Sequence, residues 1–167
     1  LLFGKLGDTR GKIRIFKMGS VLFTVGSLLC GFSVGLCFLL VARAIQAIGA
    51  AMTMATNSGI ITEVFPFNER GRALGMIGSF VALGSIAGPG VGGLLLAHFN
   101  WGYIFWINVP IGLVALLIGQ RILPKDIMVS QQAIDKPGAS LFALMMVTLF
   151  AGVFIGQEVG FTKPLIL

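Results

Sequence analysis

Charged and metal-binding side chains are scarce in this chain of 167 residues. Charged residues make up 11% of it, less than half of the roughly 25% that is typical of soluble domains. Its one histidine, His98, and its two cysteines, Cys30 and Cys37, lack the spacing of a metal site, and we expect both cysteines to be small buried hydrophobic residues. No buried pair of carboxylates and no nucleophile beside a base is evident, so the sequence predicts neither an enzyme nor a bound metal or cofactor.

Long apolar runs dominate what is present. Hydrophobic residues make up 56% of the chain, and its mean hydropathy is +0.98. Because an α-helix crosses a bilayer with about 20 apolar residues, this composition predicts an all-α integral membrane protein. Aromatic residues before position 108 can lengthen a short fourth span, and residues 164–167 can open a sixth. The five predicted spans are 15–36, 37–65, 73–97, 108–123 and 139–157.

The position of the basic residues explains the net charge of +6. Ten of the twelve lie before or at the start of the first span, between the second and third, or from the end of the fourth to the start of the fifth, and the two intervening loops carry none. An excess of Lys and Arg marks cytoplasmic loops. We therefore predict a multi-pass protein of the cell membrane, of the bacterial inner or plasma membrane type, and no nucleic-acid partner.

An arginine interrupts the second span. Arg43 lies about seven residues into it, which is roughly 10 Å below the outer boundary at ~1.5 Å per residue. A buried charge of this kind usually faces a cavity or a partner, and the alternative is a side chain that extends to the outer interface. No carboxylate lies at a matching depth, so we expect a partner from helices outside the chain, from the substrate or from backbone carbonyls. Gln46, Gly49 and Asn57 add polar or small positions to this helix, and the depth of Asn57 suggests a place at a substrate cavity.

Five glycines and one proline lie in residues 84–93 of the third span. Gly84, Gly88 and Gly92 recur every four residues, a spacing that lets membrane helices approach closely. Pro89 removes one backbone hydrogen bond and favours a kink. Simple packing, a hinge and a sealed helix interface are all compatible with this pattern. The literal GxGxxG match at 88–93 follows no strand, so it predicts no dinucleotide site.

Residues 4–14 combine glycines with one acid and four bases, and they are predicted to form a tight cytoplasmic turn. Asp8 is expected to cap the following helix, where a carboxylate meets free N–H groups. A merely solvated, inside-positive loop is an equally weighted alternative. Four charges at the next inner turn are expected to form ion pairs, which contribute little where they are exposed: Glu63, Glu69, Arg70 and Arg72.

Together these motifs resemble those of the major facilitator superfamily. Residues 4–14 are similar to its signature between the second and third helices, 40–51 to its fourth-helix motif, and 84–93 to the fifth-helix motif of its antiporters. Residues 101–110 and 135–138 are similar to its fourteen-helix drug:proton antiporter branch. The matching positions are Gly4, Asp8, Gly11, Lys12 and Arg14; then Arg43, Gln46 and Gly49; then Gly84, Gly88, Pro89, Gly92 and Gly93.

The resemblance implies a domain division and a transport function. Residues 1–123 would be part of an N-terminal six-helix bundle, with helices three to six and the preceding loop, and 124–167 would hold a cytoplasmic linker, the seventh helix and the start of the eighth. The function implied is proton-coupled export of small amphipathic or cationic compounds (multidrug efflux) by alternating access. Its partners would be that substrate, protons, the lipid bilayer and the remaining helices of the transporter.

The resemblance also implies roles for the three motifs. Asp8 and its basic neighbours would form a cytoplasmic latch that holds the outward-facing state. Arg43 would organise polar groups for proton coupling. The helix with Gly88 and Pro89 would control bending and proton leakage.

Other functions remain open from the sequence. A facilitator-superfamily carrier for another metabolite is the main alternative, although the glycine-proline motif argues against an importer. Both ends are predicted to be cut, because residues 1–3 resemble the tail of an earlier helix and the first-helix acid of such antiporters is absent. The chain is therefore alternatively a truncated fragment without transport of its own. A membrane structural protein and an intramembrane enzyme are weaker alternatives, and no GxxxxGK[ST] loop for an ATP-driven pump is present.

Overall fold

A computed structural model of the chain describes residues 2–124 and 136–159. These residues form seven α-helices and no β-strand, which confirms the predicted all-α fold. The predicted linker at 125–135 and the predicted start of an eighth helix at 164–167 lie outside the described residues. The helices are α1 (Leu2–Arg10), α2 (Lys12–Gly31), α3 (Leu36–Val64), α4 (Phe67–His98), α5 (Tyr103–Trp106), α6 (Asn108–Ile122) and α7 (Lys136–Val159).

Among the described residues, five segments are long and apolar enough to cross a membrane, in agreement with the five predicted spans. α5 and α6 together give one span of 20 residues, so the aromatic residues do lengthen the short fourth run. The five segments are Lys12–Gly31, Leu36–Val64, Phe67–His98, Tyr103–Ile122 and Pro137–Gln157.

The described residues fall into two units. One contains α1 to α6 and is called the helix bundle below, and the other contains α7. Within the helix bundle, α2 and α3 share the most extensive interface, and α2 also packs on α5 and α6. α4 contacts α3 and α5 and has no buried residue.

Glycines allow α2 and α3 to approach closely. A Cβ atom added to Gly19 would lie 2.7 Å from the Cβ of Met52, and one added to Gly26 would lie 2.6 Å from the backbone nitrogen of Gln46. On the facing helix, a Cβ at Gly49 would meet the backbone nitrogen of Phe23. Such distances leave no room for a side chain, so the two backbones are in direct contact as expected for small residues between membrane helices.

Residues 4–14 correct the predicted turn and the predicted cap. They are helical except at Gly11, the single break between α1 and α2, where the backbone adopts φ 99°. Asp8 lies inside α1, and no side chain caps α2, whose N-cap residue is Gly11. The break between the two helices therefore needs only one residue with a positive φ, which glycine tolerates. Because Asp8 does not cap α2, its carboxylate is free to form an ion pair.

The two cysteines differ in burial. Cys30 is fully buried in the last turn of α2, as predicted, whereas Cys37 is exposed. Cys37 lies in the first turn of α3, beside the exposed side chains of Leu36 and Phe38. The prediction of a buried hydrophobic residue is thus wrong for Cys37, because no described helix covers that end of α3.

Candidate functional site

A chain of polar side chains crosses the interface between α2 and α3. Arg43 donates from Nη1 to Oε1 of Gln46 at 2.8 Å, and Gln46 donates from Nε2 to the hydroxyl of Ser27 at 2.7 Å. Ser27 in turn donates to the backbone carbonyl of Phe23 at 2.8 Å. Gln46 is 5% exposed and Ser27 is 0% exposed. Because burying a polar group without a partner costs free energy, these hydrogen bonds offset the cost of burying the Gln46 amide in an apolar interface.

The helix geometry of α3 places Arg43 and Gln46 together. They are three residues apart, a spacing at which side chains on one helix face meet. The thiol of Cys30 also lies 3.9 Å from Oε1 of Gln46, so that this oxygen is approached from both helices. Gly26 provides the space, since any side chain there would collide with the backbone of Gln46.

Arg43 has a second contact on α5. Its guanidinium carbon lies 5.4 Å from the centroid of the Phe105 ring, which is within the distance of a cation–π interaction. Arg43 therefore has an amide oxygen on its own helix and an aromatic face on another. These two contacts are partners inside the chain that the sequence did not predict, and neither of them is a carboxylate.

Arg43 and Gln46 line an open cavity of about 620 Å³. A volume of this order accommodates a small organic molecule. Its wall is mainly apolar, and the polar groups that reach it come from α3 and α6. The cavity is lined by Phe23, Leu40, Arg43, Ala44, Gln46, Ala47, Ala50, Ile104, Phe105 and Asn108.

The cavity has a fixed positive charge but no described acid. An arginine guanidinium stays protonated in proteins and offers only donors. Arg43 can therefore attract and orient an acceptor or an anion, but it cannot carry a proton back and forth. Within residues 2–124 and 136–159, no group of three or more His, Cys, Asp and Glu side chains could hold a metal ion.

Asn57 does not line this cavity. It lies on α3, eleven residues beyond Gln46, which is roughly 16 Å along the helix axis at ~1.5 Å per residue. Its side chain is half-buried. The expectation that Asn57 faces a substrate cavity therefore finds no support at the site around Arg43 and stays a prediction.

A second cluster joins α1, α2 and α3 at the predicted inner end. Lys12 forms an ion pair with Asp8, at 3.2 Å between Nζ and Oδ1, and another with Glu63 of α3. Glu63 was expected to pair at its own turn, so this partner on α2 is a correction. The stem of Lys12 passes over Gly59, where a Cβ would lie 2.8 Å from its Cδ. We call Asp8, Lys12 and Glu63 the inner ion cluster.

The other charges of the inner turn have different contacts. Arg70 donates from Nε to the carbonyl of Phe65 at 3.1 Å, and its guanidinium carbon lies 5.8 Å from the ring centroid of Phe67. Among the described residues, Glu63 pairs with Lys12 instead, and neither Glu69, Arg70 nor Arg72 forms a salt bridge. The predicted ion pairs among Glu63, Glu69, Arg70 and Arg72 are therefore wrong. The side chain of Arg70 turns back onto the start of its own helix.

The glycine-proline segment lies in α4, which continues as a helix through Pro89. Within the described residues, nothing lies within 4 Å of a Cβ added at Gly84, Gly88, Gly92 or Gly93. Among the described residues, this segment thus has no close helix contact. The close approach that its spacing favours stays a prediction.

Sequence reasoning missed four contributors to these sites. Ser27 and Phe105 contact Gln46 and Arg43, Asn108 lines the cavity, and Gly59 makes room for Lys12. Each acts across a helix interface, and such contacts cannot be predicted from the spacing of residues along the sequence. The one available signal was the polar character of Ser27 and Asn108 within apolar spans.

The chain matches a model of the Major Facilitator Superfamily over residues 1–166. It is 46% identical over 144 residues to the riboflavin transporter RibZ of Clostridioides difficile (strain 630), covering 86% of this chain and 32% of that protein. It is 34% identical over 157 residues to multidrug resistance protein 3 of Bacillus subtilis (strain 168), covering 94% and 31%. It is also 31% identical over 159 residues to multidrug resistance protein Stp of Mycobacterium tuberculosis (strain ATCC 25618 / H37Rv), covering 95% and 30%.

The chain thus spans about a third of the length of these curated bacterial relatives. The family match extends over the polar chain, the inner ion cluster and the glycine-proline segment. Members of this family are membrane carriers for small molecules rather than enzymes, and five helices of this chain are suited to cross the bilayer. On these grounds the chain belongs to the Major Facilitator Superfamily of multi-pass membrane transporters.

Proposed function

We propose that the chain forms part of a secondary transporter that exports small amphipathic or cationic compounds in exchange for protons. The observation that carries the proton-coupling part of this proposal is the guanidinium of Arg43, held at the wall of a mainly apolar cavity. The multidrug resistance relatives support the substrate class. The fourteen-helix drug:proton antiporter branch and a place in the bacterial cell membrane belong to the same proposal.

Arg43 couples the proton to the substrate through its fixed charge. A positive charge nearby favours the ionised form of a carboxylate, and the acid of the first helix, outside this chain, is the group that takes the proton. When the acid is charged it pairs with Arg43, and when it is protonated the pair is lost. Proton and substrate each shift the balance between inward-open and outward-open states only by their different affinities for the two.

The inner ion cluster biases the same balance. Asp8, Lys12 and Glu63 tie α1 and α2 to α3 at the predicted cytoplasmic end. We assign them the role of a latch that holds the outward-facing state, with Gly4, Gly11 and Arg14 in the same segment. The segment of α4 with Gly88 and Pro89 limits proton leakage by packing against helices outside the described residues.

A carrier for riboflavin or a related flat aromatic metabolite is the second candidate. The 46% identity to a riboflavin transporter favours it. The cavity offers aromatic faces at Phe23 and Phe105 and an amide at Asn108, which suit a ligand with fused rings and hydrogen-bonding edges.

The test is expression of a full-length transporter that contains this segment in a bacterial host without its own efflux pumps. The proposal expects lower accumulation of a cationic dye than in the empty-vector host, and recovery of accumulation when a protonophore collapses the proton gradient. Riboflavin is assayed in parallel in the same cells. A protonophore-sensitive change in riboflavin with no change in dye accumulation would favour the second candidate, and no change in either compound would contradict both.

A further inference from the structure

Phe105 contacts the charge that the proposed function uses, although no motif named it. Its ring lies under the guanidinium of Arg43, 5.4 Å from carbon to centroid, and both residues line the cavity. The ring can accept neither a proton nor a conventional hydrogen bond. It therefore attracts the charge without competing with Gln46 for the N–H donors of Arg43.

Other aromatic residues hold Phe105 in place. Trp101 meets the Phe105 ring edge-on, with centroids 6.1 Å apart. Trp106, the next residue along α5, contacts Phe32 at the end of α2 in a tilted arrangement, with ring centroids 5.0 Å apart. Gly102 allows the start of α5 to approach the end of α2 closely, since a Cβ there would lie 2.7 Å from the carbonyl oxygen of Gly31. The ring under Arg43 is thus anchored to α2.

The orientation of Arg43 depends on such a contact. An arginine side chain is long and can extend toward the nearby membrane interface. One hydrogen bond to Gln46 leaves the guanidinium free to rotate about that bond, whereas an aromatic face on a second helix restricts the plane of the group. The two contacts together hold the guanidinium at two points, on α3 and on α5.

We propose that Phe105 is a positioning residue for Arg43, which holds the guanidinium by a cation–π contact in the orientation needed for proton coupling. This inference rests on the proposed function for its consequence in transport. It does not depend on that function for the contact itself, which can be measured separately.

The transport test compares Phe105→Leu and Phe105→Tyr in the full-length transporter, reconstituted in proteoliposomes. Phe105→Leu keeps an apolar side chain but removes the ring, so we expect transport driven by a proton gradient to fall by about fivefold, the equivalent of ~1 kcal/mol of cation–π energy. Substrate counterflow, which needs no gradient, should remain within about twofold because the cavity wall stays apolar. Phe105→Tyr should retain both activities.

Phe99→Leu is the matched control, because Phe99 stacks on Tyr103 rather than on Arg43. It should leave driven transport unchanged. An unchanged driven rate in Phe105→Leu, an equal loss in Phe99→Leu, or a parallel loss of counterflow would each overturn the inference.

A melting experiment tests the contact without any transport. Phe105→Leu should lower the melting temperature of the purified transporter. The decrease should be much smaller when Arg43 is already replaced by Gln, because the effects of mutations at two contacting residues are not additive. Equal shifts in the two backgrounds would overturn the contact. If the unmodified transporter shows no proton-driven export, the proposed function fails, and this cycle still decides whether Phe105 stabilises the protein through its contact with Arg43.

Discussion

Three glycines set the distance between α2 and α3 and, through it, the geometry of the polar chain. Gly26 lies against the backbone of Gln46, and one to two turns away Gly19 and Gly49 lie similarly close to the backbone of the facing helix. Close backbone contact brings Ser27 of one helix within 2.7 Å of Gln46 on the other. The three glycines thus set the helix spacing that aligns the side chains of the site.

Gly26→Ala in the full-length transporter should destabilise the protein. The new Cβ would lie 2.6 Å from the nitrogen of Gln46, so the helices must separate, and overpacking of this kind costs about 1–3 kcal/mol. The melting temperature in detergent measures the effect. Gly75→Ala is the control, since nothing in the described bundle lies within 4 Å of its Cβ. A Gly26→Ala protein as stable as the unmodified one would contradict the role of this contact.

At the scale of single residues, the candidate site was only partly predictable from the sequence. Arg43 is conspicuous because a charge is rare in an apolar span. Its partner Gln46 lies at a spacing that the helix period makes favourable, yet a hydrogen bond also requires compatible rotamers. Phe105 is 62 residues away in the sequence. Only the folded arrangement of α3 and α5 brings its ring to Arg43.

At the scale of helices, one side chain links three of them. Lys12 opens α2, pairs with Asp8 of α1 and reaches Glu63 near the end of α3. All three side chains are partly exposed, and ion pairs of this kind contribute about 0.2–1 kcal/mol each. Energies of this size matter little for folding but are large enough to bias two conformations that are close in free energy.

Lys12→Met should therefore shift the conformational balance away from the outward-facing state. Methionine keeps an unbranched apolar stem over Gly59 and removes the charge, so we expect up to about a fivefold change in the ratio of the two states, equivalent to ~1 kcal/mol. The ratio is measured by labelling single cysteines placed at the two ends of the cavity. Lys5→Met is the control, because Lys5 forms no ion pair within the described residues. Equal labelling of Lys12→Met and the unmodified transporter would argue against a latch.

The glycine-proline segment of α4 gives a prediction of its own. Gly88→Leu adds a bulky side chain where the proposed function requires a helix to approach closely. We expect faster collapse of an imposed pH gradient in proteoliposomes without substrate, measured with an internal pH-sensitive dye. Gly75→Leu, on the same helix outside the motif, should leak no faster than the unmodified transporter. A Gly88→Leu protein that holds the pH gradient as well as the unmodified transporter would contradict the proposed role of this segment in limiting proton leakage.

Helix positions were predictable because they follow from length and hydropathy. All five spans occur close to the predicted residues, and even the short fourth run is completed by the helix at Tyr103–Trp106. Residues 4–14 were not predictable in the same way. Glycines and charges favour a turn, but contacts with α3 at Gly7 and Lys12 keep the segment helical up to Gly11.

On the scale of the whole molecule, the pattern of charge and hydropathy predicts how the chain is oriented in a membrane. Basic residues gather in alternate loops, and the helices between them expose large apolar side chains. Lipid and further helices are the natural neighbours of such surfaces. The chain covers about a third of the length of curated relatives, and the proposed function assigns the other half of the cavity to helices outside the chain.

The central claim is that Arg43 couples substrate movement to protons. The most direct measurement compares Arg43→Ala with Arg70→Ala in proteoliposomes that contain the full-length transporter, under an imposed proton gradient. Arg70 is a suitable control because, in the described part of the chain, its guanidinium contacts the Phe65 carbonyl and the Phe67 ring beside the start of its own helix. We expect Arg43→Ala to abolish gradient-driven export of the substrate while counterflow continues, and Arg70→Ala to retain both. Gradient-driven export that persists in Arg43→Ala would contradict the claim and leave Arg43 as a side chain that merely extends to the membrane interface.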